Sequence, residues 1–326
     1  MTHIAFVMDP LESLNLKKDS TLAMISAAQK KGWQISYMEQ KDLAWEDGEA
    51  LGYIKNIELD EKFANTLDSS AAPREWYKLG KEIAIPLGSI DIIMMRKDPP
   101  FDMDYIYTTY LLERAEIDGA FVVNRPGSLR DCNEKFFATK YPQFQPPLVV
   151  SQRQDILREF HSKHDDVIYK CLDGMGGARI FRAKEKEPNL NVIIETLTEN
   201  GRHPIMAQKY IPEIVDGDKR ILIIDGKPID YALARIPMSG ETRGNLAAGG
   251  TGEGRKLTTR DRLIAETIGP DLVDRGLIFV GIDVIGDFLT EINITCPTCI
   301  RELDNHFDIN IADDLLSNLE KRFTKP

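Results

Sequence analysis

The chain has 326 residues, of which 42% are hydrophobic and 29% are charged, and its formal net charge is −11. This composition is typical of a soluble globular protein, and the length suffices for two or three domains. The negative charge argues against a nucleic acid or an anionic membrane as partner. No run approaches the ~18 apolar residues of a membrane helix, and the apolar run at 4–8 is too short for a signal peptide. We therefore expect a cytoplasmic protein.

The first 130 residues alternate between strand-like and helix-like runs. Strands are predicted at 4–8, 35–37, 90–95 and 121–123. Helices are predicted at about 20–31, 102–117 and 128–139. Asp19 or Ser20 can cap the first helix and Gly32 can end it. This order predicts a parallel sheet with helices on its faces, an N-terminal Rossmann-like α/β domain over residues 1–130. Residues 47–85 lack clear periodicity and remain unassigned.

Prolines at 142, 146 and 147 mark a boundary between two further domains and the first. In the range 131–210 we predict a smaller α+β lobe, with strands at 167–170, 178–182 and 205–209 and a helix at 191–200. The range 211–326 begins with strands at 219–224 and 228–236 around Asp225-Gly226, a hairpin signal. Residues 237–255 are rich in glycine and poor in periodicity, which predicts a flexible lid. Helices are predicted at 260–275 and 312–323.

Asp283, Glu291 and Asn293 bring three oxygen donors together on two strands predicted around residues 286–287. Such donors suit Mg²⁺, which is usually shared with substrate phosphates. Glu291 and Asn293 lie on one face of a strand. Asp283 joins that face if the loop has three residues or a strand is bulged, whereas a plain two-residue turn places it opposite Thr290. An ordinary hairpin with solvated acids is the alternative.

A glycine-rich stretch at 173–177 reads Asp-Gly-Met-Gly-Gly and lies between two predicted strands. Its glycines let the backbone approach phosphate oxygens and donate N–H groups to them. It is not a Walker A loop, since no Gly-Lys-Ser/Thr follows. A glycine-rich turn without a ligand is the alternative, but Lys170, three residues earlier, favours phosphate binding.

Two arginines also indicate anion binding. Arg235 lies in an otherwise apolar predicted strand, where it is costly unless it is paired with an anion. That anion is either a phosphate or Asp218 in a structural ion pair. Arg96 and Asp98 follow a predicted buried strand, and ligands of parallel sheets bind beyond the carboxyl ends of the strands. We predict the amino-acid end of a substrate there.

The four cysteines give no clear sign of a metal or redox site. Cys296 and Cys299 form a Cys-Pro-Thr-Cys pair, but no second pair completes a zinc site and the context is not thioredoxin-like. We expect these two residues, together with Cys132 and Cys171, to be reduced thiols.

The order of these motifs resembles that of the ATP-grasp ligases, and particular strings resemble the bacterial glutathione synthetase family. The strings are VMDP at 7–10, MRKDPPFD at 95–102, LRDCNEK at 129–135, GETRGNLAAGG at 240–250 and LTEIN at 289–293. Each string alone is weak, but their order and joint presence are specific, and the resemblance covers about residues 3–320. It implies a Rossmann-like domain followed by a two-lobed ATP-grasp domain.

The resemblance also implies an activity and a set of site residues. The activity is ligation of γ-glutamylcysteine and glycine with ATP and Mg²⁺, or Mn²⁺, without a protein nucleophile. The metal would bind Asp283, Glu291 and Asn293. ATP would contact Lys135, Lys170, Asp173, Gly174, Met175, Gly176, Gly177, Gln208, Lys209, Tyr210, Ile211, Asp218 and Arg220. Catalysis would involve Arg235, Arg243, Asn245, Gly249 and Gly250. Substrate would contact Ser20, Arg96, Asp98, Arg220 and Arg243.

Two other functions remain open from the sequence. Another ATP-grasp ligase, of the D-alanine–D-alanine or glutamate-adding type, would keep the ATP and metal residues but differ in the Arg96 loop and the lid. A non-catalytic nucleotide-binding regulator would be favoured by loss of Asp283, Glu291, Asn293, Lys170 or Arg235, and all five are present. Relatives suggest a homotetramer.

Overall fold

The N-terminal domain is built on an eight-stranded sheet; the computed structural model describes residues 1–238, 240–241, 244 and 249–323. Its strands are β1 (His3–Val7), β2 (Gln34–Met38), β3 (Leu43–Glu46), β4 (Glu49–Leu59), β5 (Tyr77–Leu79), β6 (Ile83–Pro86), β7 (Ile92–Met95) and β8 (Phe121–Val123). Its helices are α1 (Ser20–Lys30), α2 (Glu61–Thr66), α3 (Met103–Ile117) and α4 (Pro126–Asp131). Strands β2-β1-β7-β8 are parallel, which confirms the predicted parallel sheet.

Local signals place two helices of this domain correctly. The Asp19 carboxylate accepts the N–H of Leu22 at 2.8 Å and caps α1. Asp102 caps α3 in the same way. The helix predicted at 128–139 is wrong, because α4 ends at Asp131 and a separate 3-10 turn follows at Phe137–Lys140. Asn133 lies between them and accepts two backbone N–H groups with its side chain, a local turn that competes with helix.

The second domain is a small lobe of four antiparallel strands and two helices. Its elements are β9 (Leu148–Ser151), α5 (Gln154–His164), β10 (Asp166–Cys171), β11 (Ile180–Lys184), α6 (Leu190–Thr198) and β12 (Ile205–Lys209). The strand order is β11-β10-β12-β9. Its buried residues form a core of their own.

The third domain is a five-stranded antiparallel sheet with three helices. Its elements are β13 (Asp218–Ile224), β14 (Lys227–Ile236), β15 (Thr251–Lys256), α7 (Thr259–Asp274), β16 (Phe279–Ile285), β17 (Phe288–Asn293), α8 (Ile300–Phe307) and α9 (Ile311–Phe323). The strand order is β15-β14-β13-β16-β17, and the hairpin predicted around residues 225–226 is confirmed.

The predicted lid at 237–255 is too long at its C-terminal end. Strand β15 pairs with β14 along its length, with Thr251 opposite Ile236. The glycines of β15 have packing reasons rather than conformational ones. A Cβ on Gly252 would lie 3.2 Å from Leu233, and one on Gly254 would lie 2.7 Å from Phe307. The lid prediction therefore narrows to residues 237–250, most of which lie outside the described residues.

The first and third domains pack together, whereas the small lobe is a separate packing unit. Two apolar cores contain residues of both the first and the third domain. Asn124 joins these domains through its buried side chain: its amide donates to the carbonyls of Phe279 and Ile294 at 2.8 and 2.7 Å, and its oxygen accepts the N–H groups of Ile278 and Phe279. In the described residues, no helix is both long and apolar enough to cross a membrane.

Candidate active site

Two cavities meet where the three sheets approach one another. The larger, about 490 Å³, is lined by N-terminal loops, the start of α8 and the third sheet. The smaller, about 100 Å³, lies between the sheets of the second and third domains. The wall residues common to both are Gly174, Met175, Gly176, Asp283 and Glu291, together with others. The predicted glycine loop and two predicted metal ligands therefore stand at the junction.

A bulge in β17 sets the geometry of the metal hairpin. The turn has two residues, since Ile285 pairs with Phe288, but the register shifts at Thr290 so that Asp283 lies opposite Glu291. The Thr290 hydroxyl donates to the Asp283 carbonyl at 3.1 Å. Asp283, Glu291 and Asn293 all line the larger cavity. Of the arrangements open from the sequence, the structure shows the bulged strand.

Asp283 is buried between two arginines. Its carboxylate accepts Arg220 Nε at 2.5 Å and Arg220 Nη2 at 3.0 Å, and Arg235 Nη2 lies 2.9 Å away. Burial alone would raise the pKa of Asp283, but the two guanidiniums outweigh burial and hold this pKa well below its usual range. Arg235 also pairs with Asp218, so the structural ion pair considered from the sequence is present. The predicted phosphate contact of Arg235 stays a prediction.

Two buried lysines approach Glu291. Lys135 Nζ lies 3.6 Å and Lys170 Nζ 3.7 Å from Glu291 Oε1, and both side chains line the smaller cavity. Lys135 also donates to the carbonyl of Gly174 in the glycine loop. Burial lowers the pKa of Lys170, Glu291 opposes this and Lys135 adds to it. Two ammonium groups facing one carboxylate leave local positive charge that suits a polyphosphate.

The rest of the smaller cavity suits a flat, partly polar ligand. Its apolar wall residues include Ile168, Ile180, Ile211, Ile214 and Ile285. Gln208 Oε1 is buried there without a hydrogen-bond partner among the described residues. In the strand that continues from Gln208, Lys209 and Tyr210 donate their N–H groups to other carbonyls, whereas the described chain offers no acceptor for Ile211 N–H. An aromatic base with donors and acceptors along one edge would satisfy both groups.

Several predicted residues do not line these cavities in the part of the chain described. The side chains of Asp173 and Lys209 are exposed and reach neither cavity; Lys209 follows Gln208 and so faces the opposite side of the strand. Gly249 and Gly250 also lie outside the described walls. Arg243 and Asn245 lie outside the described residues.

Gly244, which the sequence analysis did not single out, lines the smaller cavity. A Cβ there would lie 2.4 Å from the Arg235 carbonyl oxygen, so only glycine fits. The glycine-rich GETRGNLAAGG string was the available signal.

The predicted substrate residues gather in the larger cavity. Ser20, Arg96, Asp98 and Arg220 all line it. Arg96 is buried and donates to Thr21 Oγ1 at 3.2 Å and to the Pro297 carbonyl at 3.0 Å. Burial, reinforced by Asp9, raises the pKa of Asp98 to about 6.

Further wall residues of this cavity were missed, including Met8, Asp9, Asn15, Lys18, Glu134, Thr295, Cys296, Thr298, Cys299 and Glu302. Asp9 follows β1, so the strand-end rule that indicated Arg96 would have found it. Glu134 accepts the N–H groups of Ile294 and Thr295 and fixes the segment after β17. The cysteines are free, as predicted, and burial raises the pKa of Cys296 to about 12, which disfavours a thiolate. Glu302 had no sequence signal.

The donor set fits a hard divalent cation only with Asn293 included. Among the described residues, no three or more His, Cys, Asp or Glu side chains form a metal-binding group. Asn293 has a buried side-chain nitrogen without a hydrogen-bond partner in the described chain, and its amide orientation is assigned rather than observed. A flipped amide would present its oxygen beside Asp283 and Glu291. Two carboxylates, one amide oxygen and substrate phosphates match what Mg²⁺ accepts.

Comparison with solved structures identifies the fold. The chain superposes on D-cycloserine synthetase with a TM-score of 0.65 at 14% identity, covering 98% of this chain and 100% of that one. It superposes on a RiPP-associated ATP-grasp ligase from Chryseobacterium gregarium, in complex with ADP and peptides, with a TM-score of 0.64 at 16% identity, covering 100% and 98%. At such identities the likeness concerns the fold alone, and it confirms the predicted ATP-grasp architecture.

Sequence comparison identifies the family. The model of the prokaryotic glutathione synthetase N-terminal domain matches residues 2–130, and that of its ATP-grasp domain matches residues 134–308. Glutathione synthetase from Pseudomonas putida is 57% identical over 319 residues, 98% of each chain. That from Vibrio cholerae is 53% identical over 322 residues, 99% of this chain and 98% of the relative. The chain therefore belongs to the prokaryotic glutathione synthetases.

Proposed function

We propose that this protein joins γ-glutamylcysteine and glycine, with ATP as co-substrate, to give glutathione, ADP and phosphate. The observation that carries the proposal is the junction of the two cavities at Asp283 and Glu291. Nucleotide in the smaller cavity and dipeptide in the larger would bring a terminal phosphate and a carboxylate together there. Family membership supports the same reaction.

The reaction needs positioning and charge neutralisation rather than a protein nucleophile. The cysteinyl carboxylate attacks the γ-phosphorus and displaces ADP, forming an acyl phosphate. The amine of glycine then attacks the carbonyl carbon, the carbon–oxygen bond to phosphate breaks, and the amide forms. Lys135 and Lys170 bind and neutralise the phosphates, and Arg220 and Arg235 lie where charge develops during transfer.

We propose that the divalent cation, Mg²⁺ or Mn²⁺, binds Asp283, Glu291 and Asn293. When bound, it neutralises phosphate charge and fixes the orientation of the phosphates. A carboxylate has about four acceptor positions. The arginines occupy two on Asp283 Oδ2 and one on Oδ1. One position on Oδ1 therefore remains for a metal.

We further propose that residues 237–250, with Arg243, Asn245, Gly249 and Gly250, cover the acyl phosphate and exclude water, which would hydrolyse it. We also propose that the protein acts in the cytoplasm as a homotetramer. These proposals rest on family resemblance. Sedimentation equilibrium of the purified protein would test the tetramer, and a monomer at working concentration would contradict it.

Product analysis tests the proposed reaction. Purified protein, ATP, Mg²⁺ and γ-glutamylcysteine are incubated with glycine, D-alanine or glutamate, and products are identified by mass spectrometry. Glutathione should form with glycine, and the other amines should give little product. A D-alanine–D-alanine or glutamate-adding activity is not favoured, because the matching family models and the relatives from Pseudomonas putida and Vibrio cholerae are glutathione synthetases. A clear preference for another amine would contradict the proposal.

A further inference from the structure

Lys18 and Glu302 face the larger cavity from two different elements. Lys18 lies in the loop between β1 and α1, and Glu302 lies in the first turn of α8. Within the described part of the chain, no ion pair shorter than 4.0 Å involves either side chain. Glu302 Oε2 is buried with no hydrogen-bond partner among the described residues. A buried, unpaired carboxylate oxygen is costly unless a ligand satisfies it.

Most other acids of this cavity are already engaged. Asp9 pairs with Lys97 at 2.9 Å, and Asp19 caps α1. Glu134 accepts backbone N–H groups, Asp283 lies between two arginines, and Glu291 faces two lysines. Asp98 lies beside Asp9, which disfavours its ionised form. Glu302 is therefore the wall carboxylate best placed to accept a cationic group from a ligand.

The two side chains carry opposite charges and face the same space. Burial raises the pKa of Glu302, and among the cations that oppose this rise Lys18 ranks before Arg301 and Arg220. Lys18 is thus close enough to act on Glu302 without forming an ion pair with it. A ligand that carries both a cation and an anion would fit between them.

Arg301 fixes the spacing of this pair. Its guanidinium is buried and donates to the carbonyl of Leu16, in the loop that carries Lys18, and to the carbonyl of Leu67. Arg301 directly precedes Glu302 on α8. The loop and the helix are therefore joined by a side chain whose charge is expensive to bury without such acceptors.

We propose that Lys18 and Glu302 bind an α-amino-acid head group, the carboxylate at Lys18 and the ammonium at Glu302, and that this head group is the γ-glutamyl end of the dipeptide. The inference rests on the proposed function and names the residues that select that end. Glycine has the same two groups, but its amine must lose a proton before it attacks, and a carboxylate that stabilises an ammonium opposes this. The γ-glutamyl head group stays zwitterionic throughout the reaction.

Substrate analogues that lack one charge test each contact. Glutaryl-cysteine lacks the ammonium group, and 4-aminobutanoyl-cysteine lacks the carboxylate. For the wild type, each analogue should have a KM roughly 10- to 100-fold above that of γ-glutamylcysteine, the range for a hydrogen bond to a charged group. Glu302→Gln should raise the KM of the dipeptide similarly but leave that of glutaryl-cysteine unchanged. Lys18→Met should do the same for 4-aminobutanoyl-cysteine. The KM of ATP and of glycine should stay the same.

Matched variants separate the subsite from general damage. Lys17→Met removes an exposed lysine from the same loop, and Asp308→Asn removes an exposed carboxylate just after α8. Both should behave as the wild type. The proposal is wrong if Glu302→Gln weakens dipeptide and glutaryl-cysteine equally, or if the KM of glycine rises instead. If Glu302→Gln does not fold, Lys18→Met on the loop decides by the same criteria. A wild type that forms no glutathione would overturn the proposed function, not the subsite alone.

Discussion

Asp283 and Glu291 lie directly opposite each other on β16 and β17, although the turn that joins the strands has only two residues. The bulge at Thr290 supplies the extra residue that this pairing requires. Because both carboxylates also line both cavities, the bulge places them where nucleotide and dipeptide would meet. Bulges often redirect side chains next to active sites in this manner.

Glu291→Gln should abolish ligation and leave the fold intact. The amide keeps the shape and one acceptor oxygen for the two lysines but loses the charge that holds the metal. Metal neutralisation of phosphate is worth several kcal/mol, so we expect turnover to fall by about three decades or more. Initial rates and circular dichroism measure the two effects. Asp287→Asn, in the exposed turn of the same hairpin, is the control. Turnover near that of the wild type would exclude Glu291 as a ligand.

Lys170→Met should weaken ATP binding without destabilising the free protein. It removes a contact to the polyphosphate, and we expect the KM of ATP to rise roughly 10-fold or more. It also removes an ammonium that burial and Lys135 disfavour, so the Tm without ligands should be equal or higher. Lys135→Met should act in the same direction but more mildly. Lys186→Met, exposed on the small lobe, serves as control. An unchanged KM of ATP would make Lys170 a structural residue.

Asn124→Ala should destabilise the contact between the first and third domains. It leaves two carbonyls and two N–H groups buried without their partner. Each such group costs about 1–3 kcal/mol, and partial relaxation reduces the sum, so we expect a loss of about 3 kcal/mol or more in urea denaturation. The exposed Asn65→Ala should change stability by about 0.5 kcal/mol at most. Equal stability of the two variants would show that Asn124 does not hold the domains together.

Asp304→Asn should stabilise the protein at neutral pH and not in acid. Burial, with a smaller effect of Asp314, raises the pKa of Asp304 to about 6, whereas the unfolded chain has the ordinary value near 4. An acid with a raised folded pKa contributes stability below its unfolded pKa and loses it as the pH rises through the folded pKa. The Tm advantage of the variant should therefore grow between about pH 4 and pH 6 and then level off.

The variant keeps a side-chain oxygen that can accept the Ile311 N–H, so the comparison isolates the charge. Asp308→Asn, an exposed change on the same segment, should show no such profile. A Tm advantage that is constant with pH would contradict the raised pKa of Asp304.

Local signals predicted much of the fold. Helix α3 begins after its cap Asp102 and strand β12 has the predicted bounds, because caps and apolar runs act over a few residues. Strand β4 was unassigned, since its partners β2, β3, β5 and β6 lie on both sides of it in the sequence. Strand β15 was taken for a loop because its glycines reflect neighbours such as Leu233 and Phe307, which the local sequence does not show.

The site divides in the same way. Lys135, Lys170 and Glu291 were grouped from motif order, and the structure brings them together. The sequence left the position of Asp283 open, because a single bulge decides which face it occupies. Lys18 and Glu302 stand on one cavity wall only because α8 packs against α1 and the loop before it. That packing couples the two ends of the chain, and no local pattern reports it.

Isotope transfer from the dipeptide to phosphate tests the central claim, that phosphate and carboxylate meet at Asp283 and Glu291. γ-Glutamylcysteine carrying a heavy oxygen isotope in its cysteinyl carboxylate is incubated with protein, ATP, Mg²⁺ and glycine, and the released phosphate is analysed by mass spectrometry. The acyl phosphate route predicts that heavy oxygen appears in phosphate in step with glutathione, and that phosphate release requires the dipeptide. Unlabelled phosphate released alongside glutathione, or release without the dipeptide, would contradict the account.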